Sequence, residues 1–182
     1  MTMSSFDRMW ESLRLVGRDP QTRGYRRFAW TAEDHTLREW FAGECEARGL
    51  EVVVDRAGNQ WGWWGNPDET PGVVIGSHLD SVADGGAFDG PLGVVSSFAA
   101  VDAVQRQGFR PRVPLGVANF ADEEGGRFGI ACAGSRLLTG ALDPRRAAAL
   151  MDAEGVTMAE AWRAAGLEPN TIGPDPEALP RV

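Results

Sequence analysis

The chain has 182 residues and a formal net charge of −8, with 43% hydrophobic and 24% charged residues. This composition is typical of a globular domain with its own core, and the negative charge makes nucleic acid and anionic membranes poor partners. The sequence has no apolar run near the roughly 20 residues of a membrane span, no signal-peptide core and two cysteines, so we expect a reduced, cytoplasmic setting.

The first third of the chain predicts two helices and a hairpin. Apolar residues at helical spacing predict a helix over residues 5–16. Thr31 is a typical N-cap residue, with Asp34 at the third helical position, and the helix that follows is predicted to stop at Gly49. The next segment predicts two strands joined by a tight turn at residues 56–59.

The following segments alternate between strands and helices. Residues 73–77 form a continuous apolar run, typical of a strand buried on both faces of a parallel sheet. A helix over residues 94–107 and a second buried strand over residues 113–120 follow. Asp143 before a proline predicts another helix start, and Thr157 begins a capping box for the last helix.

This alternation predicts an α/β fold with a mixed, mainly parallel sheet flanked by helices. In such sheets, functional residues collect at the carboxyl ends of the strands. The closing stretch is different, because EPNTIGPDPEALPRV is rich in proline and has no helix or strand pattern. It predicts a loop or linker rather than the end of a finished domain.

The residues that follow the two buried strands suit a metal site. His78 and Asp80 follow the first strand, Asp89 lies in a glycine-rich loop, and Glu123 and Glu124 follow the second strand. Taken singly, each has an ordinary structural explanation, as a hydrogen-bonded histidine, a turn residue or a solvated acid. Together these residues predict a metal hydrolase, with an imidazole oriented by a carboxylate, two further acids and a free glutamate base. This donor set suits Zn²⁺, Mn²⁺ or Co²⁺ better than Ca²⁺.

Other chemistries fit the sequence less well. It has no phosphate-binding GxxxxGK[ST] loop, no dinucleotide fingerprint and no serine on a GxSxG turn. Cys132 is either a nucleophile or, more in keeping with its type, a small buried residue. His35, the other histidine, lies in a predicted helix and is interpreted as a surface or packing residue.

The segments GSHLDSVADGGAFDGPLGV and FADEEGGRFGIACAGSRLLTG resemble the allantoate amidohydrolase and N-carbamoyl-L-amino acid hydrolase group. That group belongs to the two-metal aminoacylase and carboxypeptidase superfamily. The segments VGRDPQTRGYRRFAWTAEDHTLREWF and DRAGNQWGWWG resemble its N-terminal part, so the resemblance covers nearly the whole chain. Arg127 and Phe128 resemble the carbamoylase and allantoate branch more than the peptidase branch, and the segment as a whole resembles bacterial allantoate amidohydrolases most.

The resemblance implies a di-metal hydrolase that acts on a C–N bond other than a peptide bond. Its small-molecule substrate would be allantoate or an N-carbamoyl-L-amino acid. His78 would bind one divalent ion (Mn²⁺, Zn²⁺ or Co²⁺), Glu124 the other, and Asp89 would bridge the two. Asp80 would hold His78 in place, and Glu123 would be the general base. The resemblance also implies a cis peptide bond after Asp89 and a homodimer formed through a lid domain.

Members of this group are about twice as long as this chain. The resemblance therefore implies that residues 1–182 are part of a catalytic domain, with two further histidine ligands, the rest of that domain and the lid beyond them. For the 182 residues alone we expect weak metal binding and no activity. Two other interpretations stay open: a non-catalytic remnant that binds a metal or a protein partner, and an aminoacylase or peptidase of the same superfamily.

Overall fold

The structure is a computed structural model that describes residues 3–182. Helices and strands alternate along the chain, and within these residues no helix is long and apolar enough to cross a membrane. The elements are α1 (Ser5–Leu13), α2 (Ala32–Glu46), β1 (Glu51–Val54), β2 (Gln60–Trp64), β3 (Val73–His78), α3 (Pro91–Arg106), β4 (Leu115–Phe120), α4 (Ala133–Leu138), α5 (Pro144–Ala148), α6 (Met158–Ala164) and a 3₁₀ turn (Leu179–Arg181).

The four strands form one mixed sheet in the order β1-β2-β4-β3. β1 and β2 form the predicted antiparallel hairpin, with Val53 opposite Trp61. β2 runs antiparallel to β4, with Gly62 opposite Val117, and β3 runs parallel to β4, with Ile75 opposite Val117. The predicted mixed α/β sheet flanked by helices is confirmed, and in the described residues parallel pairing is confined to β3 and β4.

β3 lies at one edge of this sheet and is less buried than predicted. Val73 is 55% exposed, and only His78, the last residue of the strand, is buried. The prediction that this strand is buried on both faces is therefore wrong for residues 3–182, because β3 pairs with β4 alone and α3 is the main helix that packs on it. β4 lies between β2 and β3, and its four inner residues are buried, as predicted.

Helices cover both faces of the sheet, and each face has its own hydrophobic core. On one face α1, α2 and α3 pack around Val117 of β4. On the other face α4, α5 and α6 pack against Trp61 and Trp63 of β2 and Ala118 of β4. Successive side chains along a strand point to opposite faces, so Val117 and Ala118 belong to different cores.

Three predicted helix starts are confirmed by their capping hydrogen bonds. The side chains of Thr31, Asp143 and Thr157 each accept the backbone N–H of the third helical residue, and Thr157 also forms the predicted capping box. Each bond satisfies a backbone N–H group that has no partner inside its helix. Local sequence is therefore sufficient to place these three starts.

Three helix boundaries differ from the prediction, and one of them is the end of α2, which lies at Glu46 rather than at Gly49. α1 ends at Leu13 rather than at residue 16. The guanidinium of Arg27 donates to the backbone carbonyls of Leu13 at 2.7 Å and Val16 at 2.9 Å, beyond the end of the helix. α3 begins at Pro91 rather than at residue 94, because the fixed φ of proline suits the first helical position. α4 is not predicted from the sequence, since its six residues are too few for a clear helical pattern.

The proline-rich C-terminal stretch has little regular structure but packs on the core. Ile172 and Ala178 are buried, and the Asp175 carboxylate accepts the backbone N–H of Arg56 at 3.2 Å. The stretch is therefore an irregular part of the folded domain rather than a free linker, because its few apolar residues cover Trp61 and its neighbours in the core.

Candidate metal centre

His78 ends β3, and its side chain is 7% exposed. Its Nδ1 lies 3.2 Å from the backbone carbonyl oxygen of Asp80 and 3.3 Å from the Asp80 carboxylate. Both of these atoms accept hydrogen bonds, so in the neutral ring Nδ1 carries the proton and Nε2 keeps a free lone pair. That tautomer is the one a metal ligand needs, and a carboxylate is its usual orienting partner.

The buried carboxylate of Asp80 also binds the loop that follows β4. Its two oxygens accept the backbone N–H groups of Glu123 at 3.2 Å and Glu124 at 3.0 Å. One side chain therefore orients the ring of His78 and positions the backbone of both glutamates. Neither backbone hydrogen bond to Asp80 is predicted from the sequence, because they join residues that are 43 and 44 positions apart.

Asp89 lies in the glycine-rich loop between β3 and α3, and its carboxylate lies 3.7 Å from Nε2 of His78. The next residue, Gly90, has a φ of 80°, and a Cβ atom there would lie 2.6 Å from the His78 ring. Glycine thus permits both the turn and the close approach. No peptide bond in residues 3–182 is cis, so the cis bond expected after Asp89 is wrong here. The chain turns through the positive φ of Gly90 instead.

The two glutamates follow β4 at a sharp turn. β4 ends at Phe120, and two residues later Asp122 has a φ of 49°, in the left-handed region. Beyond this turn, Oε2 of Glu123 lies 3.4 Å from Nε2 of His78. A carboxylate oxygen of Glu124 lies within 4.8 Å of the ligand atoms of both His78 and Asp89. The structure therefore brings the adjacent glutamates to one site, as the predicted bend requires.

His78, Asp89 and Glu124 form a group that could hold a metal ion. Their ligand atoms lie within 4.8 Å of one another, and it is the one such group within residues 3–182. Ligand atoms bound to one ion at about 2.0–2.2 Å lie no more than about 4.4 Å apart, so a small closure of the group would suffice. One imidazole nitrogen with two carboxylates is a donor set for Zn²⁺, Mn²⁺ or Co²⁺. The residues present fit the predicted metal site.

Negative charge accumulates around this group. Burial by itself lowers the pKa of His78, but the hydrogen bond to Asp80 and the charges of Asp80 and Glu123 outweigh it, so the pKa lies above its ordinary value. Partial burial and the charge of Asp89 raise the pKa of Glu124. Mutual repulsion of this kind is relieved when a cation binds.

Two groups beside the site are not predicted to lie there. The thiol of Cys132 donates to Oε1 of Glu123 at 3.3 Å, and this bond raises the pKa of Cys132, which disfavours the thiolate that a nucleophile needs. Asp122 is buried, and its carboxylate has no hydrogen-bond partner within residues 3–182. Burial and the charges of Asp80 and Asp34 raise the pKa of Asp122 to about 8. The only signal for Asp122 in the sequence is that it directly precedes the two glutamates in ADEE.

Three other polar residues, two of them named in the sequence analysis, lie away from the metal group. His35 is half-buried in α2 and does not belong to the group. Asp84 accepts the hydroxyl of Thr22 at 2.7 Å on the surface. Arg127, whose position resembles the carbamoylase branch, donates to Asp152 at 3.0 Å and to backbone carbonyls. Its contacts in the structure are therefore internal to the fold.

Residues 74–169 match the model of Peptidase family M20/M25/M40, and they make up more than half of the chain. The chain belongs to this family. The matched range includes β3 except its first residue, all of β4 and all five residues that the sequence predicts for the site. The predicted resemblance is therefore confirmed at the level of the family.

The similar proteins include named amidohydrolases. The N-carbamoyl-L-amino acid amidohydrolase of Geobacillus stearothermophilus is 41% identical over 171 residues, which are 91% of this chain and 41% of that protein. The allantoate amidohydrolase of Escherichia coli is 32% identical over 85% of this chain and 38% of its own length. A crystal structure of a hydantoinase/carbamoylase family amidase from Burkholderia ambifaria superposes with a TM-score of 0.81 and 37% identity, covering 93% of this chain and 42% of that one. The chain spans about two fifths of the length of the curated relatives it matches.

Proposed function

We propose that this chain is part of a metal-dependent amidohydrolase that cleaves a non-peptide C–N bond of a ureido or carbamoyl compound. One observation carries the proposal: ligand atoms of His78, Asp89 and Glu124 lie within 4.8 Å of one another, and Glu123 lies beside them. The named relatives support the substrate class. Because identity is 41% to the N-carbamoyl-L-amino acid enzyme and 32% to the allantoate enzyme, we propose the former substrate first and allantoate second.

His78, Asp89 and Glu124 would hold the metal. We propose that these three residues would supply part of a site for two divalent ions, Zn²⁺, Mn²⁺ or Co²⁺. When bound, such ions polarise a carbonyl group and lower the pKa of water. Asp80 would keep Nδ1 of His78 protonated, so that Nε2 stays available as a ligand.

Glu123 would act as the general base. Its Oε1 accepts the thiol of Cys132, which leaves Oε2 directed toward Nε2 of His78. Oε2 would take a proton from the attacking water as that water adds to the carbamoyl carbon. The same proton would pass to the leaving nitrogen as the C–N bond breaks. Water is the only reactant that this hydrolysis needs besides the substrate.

Membership of the family is the basis for what we propose about the rest of the active enzyme. We propose that residues 1–182 are a portion of the catalytic domain, and that further metal ligands and the substrate-binding residues belong to other parts of the full-length protein. A cytoplasmic homodimer remains a prediction. The molar mass of the full-length gene product, measured by light scattering on a sizing column, would test the dimer.

The test is an assay of the full-length gene product with N-carbamoyl-L-amino acids, allantoate and N-acyl amino acids. We expect hydrolysis of an N-carbamoyl or ureido substrate, and a fall of about 10²- to 10⁴-fold in kcat for Glu123→Gln with metal content retained. Asp84→Asn is the control, because Asp84 contacts Thr22 on the surface, and it should keep full activity. Hydrolysis of N-acyl substrates alone would identify an aminoacylase instead. Metal binding without any hydrolysis would favour the non-catalytic remnant.

A further inference from the structure

The loop that carries Asp89 is well anchored at its two ends and weakly anchored between them. Gly85 exchanges two backbone hydrogen bonds with Tyr25, both of 2.9 Å. At the other end, the Phe88 carbonyl accepts the N–H of Leu92 at 3.1 Å, where α3 begins. Within residues 3–182, residues 86–88 make no other hydrogen bond, and the Asp89 side chain is 73% exposed. Backbone bonds therefore do not by themselves fix the position of this carboxylate.

An aromatic stack contacts the loop at this point. The ring of Phe88 lies on the ring of Trp10, with centroids 5.4 Å apart and an angle of 19° between the planes. On α1 itself, Trp10 also stacks with Phe6, with ring centroids 6.0 Å apart and an angle of 7° between the planes. Phe88 is itself 65% exposed, so burial in a core does not explain its position. Contact with Trp10 is the main constraint on the Phe88 side chain.

Trp10 is held firmly enough to serve as a support. It belongs to α1, whose neighbouring residues Met9 and Leu13 are 3% exposed in the core. The guanidinium of the buried Arg27 donates to the last carbonyl of that helix, at Leu13. A half-buried ring on a helix anchored in this way has little freedom to move, so it can limit the movement of the ring that rests on it.

We propose that Trp10 is a positioning residue for the metal site. Its ring stacks on Phe88 and so restrains the neighbouring Asp89, whose carboxylate must stay close to His78 and Glu124 for a metal to bind. The inference rests on the proposed function, because it takes Asp89 as a metal ligand. Without the stack, the loop would spend part of its time in conformations that cannot bind metal, and the apparent affinity would fall by that fraction.

The test measures the affinity of the full-length gene product for Zn²⁺ alone by calorimetric titration. An aromatic pair of this kind contributes enough to change an affinity roughly twofold to tenfold. We expect Trp10→Leu to weaken Zn²⁺ binding by about that factor, and Trp10→Phe, which keeps a ring, to stay close to the original chain. Trp40→Leu is the matched control, because Trp40 is also half-buried and contacts α1 through Ser12, but its aromatic partner is Phe98. It should leave the affinity unchanged.

A double-mutant cycle separates positioning from a general loss of stability. Phe88→Leu changes an exposed residue, so the fold should survive. If Trp10 acts through Phe88, the double variant should bind Zn²⁺ no more weakly than Phe88→Leu alone. Additive losses, or unchanged affinity in both single variants, would overturn the inference while leaving the metal site intact. If the unmutated full-length protein shows no Zn²⁺ binding that His78→Ala abolishes, the proposed metal site is wrong, and the positioning role with it.

Discussion

Asp80 and Glu124 are joined by a 3.0 Å hydrogen bond from the backbone N–H of Glu124 to the carboxylate of Asp80. This bond links the loop after β3 to the loop after β4. The same carboxylate accepts the N–H of Glu123 and lies 3.3 Å from His78. The base and two of the proposed ligands are therefore held by one buried side chain.

Replacement of Asp80 by alanine should destabilise the fold. Two partly buried N–H groups would lose a charged acceptor, each worth about 1.5–3 kcal/mol, and relief of the repulsion with Asp122 would offset part of that loss. We expect the free energy of unfolding in urea to fall by about 2–3 kcal/mol. Asp84→Ala is the control, since it removes one exposed bond to Thr22, and it should cost less than about 1 kcal/mol. Equal losses in the two variants would contradict the bridging role of Asp80.

Gly90→Ala should damage the site, whereas Gly86→Ala should not. Both glycines lie in the same loop. Gly90 has a positive φ, and a Cβ atom there would lie 2.6 Å from the His78 ring, whereas a Cβ atom at Gly86 would point into open space. Gly90→Ala should lower the free energy of unfolding by about 2 kcal/mol and weaken Zn²⁺ binding. Gly86→Ala should be neutral, or stabilising by about 0.4–1 kcal/mol. Thermal unfolding and calorimetry would measure both, and tolerance of Gly90→Ala would argue against this packing.

The three proposed ligands should each be needed for metal binding. His78→Ala, Asp89→Asn and Glu124→Gln each remove one of three donors. We expect each to weaken Zn²⁺ binding by at least about 100-fold, since loss of an outer-shell partner alone costs 10- to 100-fold. His35→Ala is the control for the loss of a histidine and should bind normally. Zn²⁺ affinity that follows His35 rather than His78 would place the metal elsewhere.

The two cysteines should differ sharply in reactivity. Cys45 is fully buried, and burial raises the pKa of its thiol to about 12. Cys132 is half-buried, and its hydrogen bond to Glu123 raises its pKa. In the folded chain at pH 8, a thiol reagent should modify Cys132 and leave Cys45 unreacted until urea unfolds the protein.

Glu123→Gln should accelerate modification of Cys132. Removing the carboxylate lowers the pKa of the thiol, so more thiolate is present at a given pH. The Cys132→Ala variant is the control, and it should have no reactive thiol in the folded state. A rate in Glu123→Gln that is no faster than in the unmutated protein would mean that the bond between Cys132 and Glu123 does not form in solution.

Arg127 should behave as a structural residue. Its guanidinium donates to the carbonyls of Ala29 and Trp30 and pairs with Asp152. Arg127→Ala should lower the free energy of unfolding by about 3 kcal/mol, and Arg127→Lys should recover little of it, because one ammonium group cannot reproduce the planar fork. Arg136→Ala, which removes a long and exposed bond, should have little effect. Full recovery in Arg127→Lys would show that charge alone is needed.

Several features follow from short segments of sequence. The caps at Thr31, Asp143 and Thr157 are confirmed because each depends on hydrogen bonds between residues three positions apart. The hairpin of β1 and β2 is confirmed for a similar reason, since its turn spans only a few residues. The ends of α1 and α3 are less well predicted, because Arg27 and Pro91 act there against the hydrophobic pattern.

The five residues proposed for the site illustrate what sequence can provide. Their chemical types, and their places after two apolar strands, are sufficient to indicate a metal site. The contacts of Asp80 with the two glutamates could not be predicted, because they depend on β3 and β4 being neighbours in the sheet. The contact of Cys132 with Glu123 likewise depends on how the chain turns back after β4.

By itself the sequence determined the helix caps, the strands, the family resemblance and the donor atoms of the proposed metal site, because these depend on residue type and on hydrogen bonds over a few positions. Only the tertiary structure decided the strand order, the edge position of β3 and the stack of Trp10 on Phe88. These arise from packing between segments far apart in the chain, and spacing within one segment carries no information about which distant surface will cover it.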